Sequence, residues 1–253
     1  SDSQLMATKT SAVAKKAGTS IVSIQEQLKA QAASAGTRTS APTGNAIRIT
    51  QDKHFVLPDG TKTNDPIDLV ILDYITEHRF YEGNFDPKNI SPPACFALGQ
   101  NPAKMTPSDN SPVKQAEDCQ SCPMNAFGSA GDGKACKNGR VLAVMQVDAD
   151  ENSAMWRLNV SPTAIKNFDA FVRSALAKHE LPPIGVAARV SFDSSVTYAR
   201  LVFTEVGLNP NVATHFARQA EATKMLETEP DVSAYVPKTR PQARVAAKGA
   251  VRR

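Results

Sequence analysis

No apolar run in this 253-residue chain approaches the roughly 18 residues that a bilayer span requires. The opening stretch, SDSQLMATKTSAVAKKAGTS, also lacks the apolar block of roughly 7–15 residues that marks a secretory leader. Together these absences exclude a membrane-spanning helix and lead to an expected cytoplasmic location, where thiols bind metal more often than they pair as disulfides. Aromatic residues are scarce, at 6% with one tryptophan. The four histidines, at 54, 78, 179 and 215, fall in unrelated settings, and no Ser–His–Asp set or paired carboxylates stand out. No enzyme is expected.

Acid is missing from one further place. From Val232 to Arg253 there is no Asp or Glu, while Lys238, Arg240, Arg244, Lys248, Arg252 and Arg253 are basic. Residues 1–44 carry Lys9, Lys15, Lys16, Lys29 and Arg38 against Asp2 and Glu26. The net charge of +4 is small, so this distribution carries the signal: two basic tails suited to a polyanion or simply to solvent. Residues 1–44, rich in Ala, Ser and Thr, read as a flexible arm with one short amphipathic helix through Ile21, Ile24 and Leu28. Residues 230–253, with Pro230, Pro237 and Pro241, read as a disordered tail.

All four cysteines lie in one span: Cys95, then Cys119, Cys122 and Cys136. The C-x-x-C spacing lets two thiolates meet one ion on a tight turn, and four sulfurs close a tetrahedral structural zinc shell. The surrounding Gly, Pro, Asn and Ser suit a loop with little core of its own, which a metal would crosslink. An iron–sulfur cluster takes the same ligands, and disulfides or a redox pair remain open. His54 and His78 stand upstream as substitutes for Cys95. Within this span GSAGDGKA, residues 128–135, nearly matches a phosphate-binding loop. Ala135 replaces the hydroxyl such a loop needs, and the strand-then-helix setting is missing.

Between the tails the pattern is that of strands. The segments 68–81, 140–147, 155–160, 186–192 and 198–204 are dense in β-branched and aromatic residues. After the third, Ser161 is placed to cap a helix with Pro162 in its first turn and an apolar stripe of Ile165, Phe168, Phe171, Val172, Ala175 and Leu176. Five strands with a helix between the third and fourth is the order of an OB-fold barrel; a generic α+β domain is the alternative. The expected organisation is an arm at 1–44, an OB-fold domain at 45–208 with a four-cysteine zinc-binding insertion at 82–139, a helix at 209–229, and the basic tail.

Alternation along the strands sorts their faces. It places Trp156, Leu158 and Val160 inward and Arg157 outward, Val190 inward and Arg189 outward, Leu201 and Phe203 inward with Tyr198 and Arg200 outward. No carboxylate occurs among these outward positions, and Lys137 and Arg140 lead into the second strand. Cations that follow a backbone and a ring that stacks on any base are what single-stranded nucleic acid needs. Phe80, Tyr81 and Phe85, where the first strand enters the insertion, are either stacking residues or a small core over the metal loop.

The segment PPACFALGQNP…DNSPVKQAEDCQSCPMNAFGS…GKACKNGR, with WRLNVSPTAIKNF, resembles a family of bacteriophage single-stranded-DNA-binding proteins over about residues 68–208. More distantly it is similar to the helix-destabilising protein of T-even phages, in which a zinc site is inserted in an OB-fold. The resemblance implies a non-enzymatic role in phage DNA replication and recombination in the bacterial host cytoplasm: coating single strands, self-associating on them, and recruiting phage or host enzymes. The chain departs from that pattern in offering four cysteines where the T-even protein uses a histidine and three, and in ending with a basic tail where an acidic one is usual. The alternative is a zinc-ribbon module that binds RNA polymerase or a replication enzyme.

Overall fold

The computed structural model of the chain describes residues 23–29, 31 and 45–238. The chain forms two compact units, Ser1–Gly44 and Asn45–Arg253. In the first, residues 23–29 are helical and leave Ile24 and Leu28 exposed. The rest of the expected arm and the basic tail beyond Lys238 lie outside the described residues.

The second unit is a mixed α+β fold around one sheet. Its strands are β1 (Ala46–Ile49), β2 (Phe55–Val56), β3 (Lys62–Thr63), β4 (Ile67–Phe80), β5 (Cys95–Gly99), β6 (Cys136–Gln146), β7 (Trp156–Val160), β8 (Val186–Phe192) and β9 (Leu201–Leu208). They lie in the order β3-β2-β1-β7-β6-β4-β8-β9, with β5 added on β4. The sheet curls strongly, and its two ends come together. The Phe55 ring stacks on Phe192 at 4.4 Å, and Lys53 Nζ donates to the carbonyls of Asp193 and Val196 at 3.0 and 2.6 Å.

Within this order, β7-β6-β4-β8-β9 contains the five expected strands, lying third-second-first-fourth-fifth with every neighbouring pair antiparallel. The strands that alternation could not anticipate are β1, β2, β3 and β5, which are short and set among turn-forming residues. They change how the sheet is finished: β1 takes the free edge of β7 in parallel, and among the described residues β9 pairs only with β8.

The core explains why these segments fold as they do. Inside the curl, Leu69, Ile71, Leu142, Leu158, Val190 and Leu201 pack on Phe168, Phe171 and Ala175 of the helix Ile165–His179. Phe168 sits edge-on to Tyr74 and Phe203 at 5.1 and 5.4 Å. A 3-10 turn, Pro162–Ala164, precedes this helix, and Ser161, the expected cap, makes no side-chain capping bond.

On the opposite face Val70, Leu72, Val141 and Met145 are covered by Ala222 and Leu226. These belong to the second of two short helices, Val212–Ala217 and Gln219–Leu226, which replace the single helix expected there. A buried His215 ties the first of them down, its Nδ1 3.0 Å from Asn209 Nδ2 and its Nε2 3.0 Å from the Gln146 carbonyl.

β4 is apolar on both faces because both are covered at that level, and a bulge between Ile71 and Asp73 resets its phase. Beyond the bulge β4 runs on to Phe80, paired with β6 on one side and β5 on the other. The thiol-bearing connection hangs from this extension.

Candidate metal centre and nucleic-acid interface

Three strands put the cysteines and their neighbours in register. Phe80 at the end of β4 pairs with Cys95 on one side and Cys136 on the other. Two residues earlier, and therefore on the same face, His78 pairs with Ala97 and Asn138. The loop between β5 and β6 folds over this surface and supplies Cys119 and Cys122. Its backbone is tied down by Cys119 N–H donating to the Met105 carbonyl at 3.0 Å and Ser108 N–H to that of Phe96 at 2.8 Å. One cavity is lined by all four cysteines together with His78 and Phe80, and no Asp or Glu lines it.

The thiols feel one another. Burial, then the neighbouring Cys95 and Cys122, push Cys119 up to about 11; burial, then the other three thiols, push Cys136 up to about 12. Burial, with Lys134 and Arg140 nearby, pulls His78 down to about 4, and its Nδ1 is buried without a hydrogen-bond partner. Chemically this is a soft donor set, suited to a thiophilic cation and not to calcium or magnesium. Among the described residues, however, no three His, Cys, Asp or Glu side chains are drawn closely enough together to hold an ion as they stand.

The arginine set is corrected by its partners. Arg189 forms a two-pronged pair with Asp68 at 2.8 and 3.0 Å, and Arg200 another with Asp193 at 3.1 and 2.7 Å. Arg157 reaches Glu77 at 3.4 Å, and Arg140, nearly buried, reaches Asp169 at 3.2 Å. The expected freedom from acid fails because these carboxylates come from β4, the β8–β9 loop and the long helix, outside the positions compared. Hydrogen bonds from Ser195, then from Arg200, hold the Asp193 carboxyl well below the usual range.

Nor do the arginines form one surface. Arg157 and Arg189 lie on β7 and β8, with β6 and β4 between them, and the helix Gln219–Leu226 packs on the intervening face. Arg200 and Tyr198 precede β9 and sit in the loop after β8, the guanidinium 5.7 Å from the Tyr198 ring.

Other residues gather where β4 leaves the body. Arg79 pairs with Glu77 at 2.7 and 3.0 Å, so the buried Glu77 serves both Arg79 and Arg157 and leaves one positive charge in excess. Lys137 is the cross-strand neighbour of Arg79 and is exposed. Phe80 turns to the cavity, whereas Tyr81 is 40% exposed and Phe85 80% exposed. Phe127, which strand phase could not reach, is also 80% exposed, with Lys134 Nζ 4.8 Å from its ring centre.

The C-terminal segment then returns along the insertion. Ser108 and Asn110 donate to Glu229 at 2.9 and 3.0 Å, and Lys238 N–H donates to Glu82 at 3.2 Å. The basic tail thus starts beside Tyr81 and Phe85. Among the described residues no helix is long and apolar enough to cross a membrane. Compared with known proteins, the chain matches no family model, no curated protein and no solved structure.

Proposed function

We propose that the chain is a non-enzymatic single-stranded-DNA-binding protein whose interface lies at the far end of β4 and on the insertion that hangs from it. The observation that carries this reading is the exposure of Tyr81, Phe85 and Phe127 in a chain poor in aromatics. A folded chain gains nothing from rings left in water, whereas unpaired bases stack on them whatever the sequence. Lys134, Lys137 and the basic tail, which begins at Lys238, supply the phosphate contacts, and the Arg79–Glu77–Arg157 cluster adds its one excess positive charge. Arg189 and Arg200 contribute less, because their guanidinium groups are already paired, and Tyr198 lies apart from the extension beside Arg200.

In this reading the curled sheet is an OB-fold variant, supported by the strand order and by the helix between β7 and β8. The thiol cavity holds structural zinc through Cys95, Cys119, Cys122 and Cys136, supported by a lining of four soft donors without a carboxylate. The ion would staple β5, β6 and the loop between them. In this reading, which follows the resemblance to phage proteins, the work is in replication and recombination in the host cytoplasm, with partner enzymes and self-association on DNA.

Fluorescence anisotropy with single-stranded, duplex and RNA oligonucleotides tests the reading. Neutralising about four to six phosphates gives a log–log salt slope near −3 to −4 for a single strand, and duplex binds much more weakly. Absence of binding to every oligonucleotide at low salt ends the proposal.

A second reading is a module that docks on RNA polymerase or a replication enzyme. Leu208, Val212 and Phe216, all exposed near the end of edge strand β9, favour it. Such a module leaves oligothymidine unbound and holds its protein partner with little dependence on salt.

A further inference from the structure

The four cysteines do not account for every group aimed at their cavity. His78 projects from the middle strand of three, on the face that carries Phe80, Cys95 and Cys136, and it is 4% exposed. Its Nδ1 has no partner. An orphaned polar atom at such depth is costly to leave unpaired, so it marks a site completed by something else. Asn138, its cross-strand neighbour, and Asn125, on the cavity wall, each leave a buried Oδ1 without a partner as well. Those amide oxygens only accept hydrogen bonds. Among these three atoms, only His78 Nδ1 can donate one.

Charge points the same way. Four thiolates around a divalent cation carry a net charge of −2, which a buried site must offset. Lys134 and Arg140 are close enough to act on the His78 ring, and Lys134 also acts on Cys136. Arg140 is already paired with Asp169, so Lys134 and the one N–H donor are what the protein offers near the place where an anionic centre would form. Sulfur already supplies the four ligands that a tetrahedral cation needs, which leaves the imidazole a supporting role.

We infer that His78 is a positioning residue of a four-thiolate cation centre, donating its Nδ1–H to one of the metal-bound sulfurs from the floor of the cavity. The inference rests on the zinc reading above and is independent of nucleic-acid binding. Its physical content is that the donor bond holds a thiolate against protonation and against electrophiles. The bond also links the ion to β4, the middle strand between β5 and β6, which itself supplies no cysteine.

The test compares zinc affinity, by chelator competition, in the full chain and in His78→Leu and His78→Asn. The leucine side chain removes the donor, and the asparagine keeps an amide N–H on the atom that follows Cγ, where Nδ1 stood. Loss of a supporting partner costs about 10–100-fold in metal affinity, so that loss is expected for His78→Leu with most of it regained in His78→Asn. Alkylation of the zinc-bound cysteines by iodoacetamide should quicken in the same order, a change that a purely structural histidine would not produce. The cobalt-loaded proteins should share one thiolate-to-metal absorption band, since the ligand set is unchanged.

Should the leucine variant fail to fold, the cadmium-loaded wild-type chain supplies the answer through a magnetic-resonance cross-peak between the His78 ring N–H and the metal. Equal affinities in all three proteins, a missing cross-peak, or a cobalt spectrum that changes ligand type in the His78 variants would overturn the inference and leave the zinc reading standing. A full chain that binds no zinc or cobalt would overturn both.

Discussion

At its start β4 lies between two apolar layers, and at its end the same strand carries charged and thiol-facing residues over almost no core. Around Leu69 and Ile71 the cluster extends through seven strands and the long helix, and Val70 and Leu72 meet a second layer of helix. Around Phe80 the corresponding apolar cluster is only Ala97, Met105 and Cys119. Burial of roughly 25 cal/mol per Å² can order the first region unaided, while the second is held by loop hydrogen bonds and whatever its cavity binds. One strand thus joins a self-sufficient body to an extension with little core of its own. That extension also displays the exposed rings.

The largest effect should come from emptying the body. Phe168→Ala removes a fully buried ring that touches Tyr74 and Phe203, and should cost about 3–5 kcal/mol in urea unfolding. A cost below about 1 kcal/mol would mean that the helix is not what holds the body together.

A smaller effect is expected at the joint, where β6 leaves the body. A Cβ at Gly139 would lie 2.7 Å from the Val160 carbonyl oxygen, a backbone atom that cannot swing aside. Gly139→Ala should therefore lose about 1–3 kcal/mol. Unchanged stability in the same unfolding assay would show the joint to be loose.

Chelation should separate the regions without a mutation. Amide hydrogen exchange is expected to quicken across residues 100–135 when the cation is removed, with β7 and the helix Ile165–His179 unaffected. Equal quickening in both would contradict the division drawn here.

The smallest effect belongs to Arg189→Ala. Its pair with Asp68 is exposed, and exposed ion pairs add little, so neither the melting temperature nor oligonucleotide affinity should move measurably. A several-fold loss of affinity would shift the interface from the extension to the body.

The same contrast governs how much could be read from residues alone. The five strands and the long helix were legible because periodicity records burial on one face, as at Leu158, Val160, Val190 and Phe168. It gave the fifth strand an early start, placing Tyr198 and Arg200 in a strand when they form the loop after β8. Short β1, β2 and β3 have too few residues to show a period, and β5 is hidden between Pro92–Pro93 and the loop that covers it.

In the site, local spacing grouped the four cysteines, and all four do line one cavity. Strand phase also set Arg157 and Arg189 opposite Leu158 and Val190, but did not show what they meet. Glu77, Asp68 and Asp169 reach Arg157, Arg189 and Arg140 from elements distant in sequence, and only the fold brings them there. Phe127 carried no signal because a ring in a glycine-rich loop has no phase. His78 did carry one: it lies two residues from Phe80 on the same face of the strand.

The central claim is that a single strand is held by the extension and not by the body. Photo-crosslinking of the zinc-loaded chain to oligothymidine, followed by mass spectrometry of the joined peptides, tests it most directly. Crosslinks at Tyr81, Phe85 and Phe127 are the predicted result. Crosslinks confined to Tyr198 and the residues around Arg189 would contradict the account.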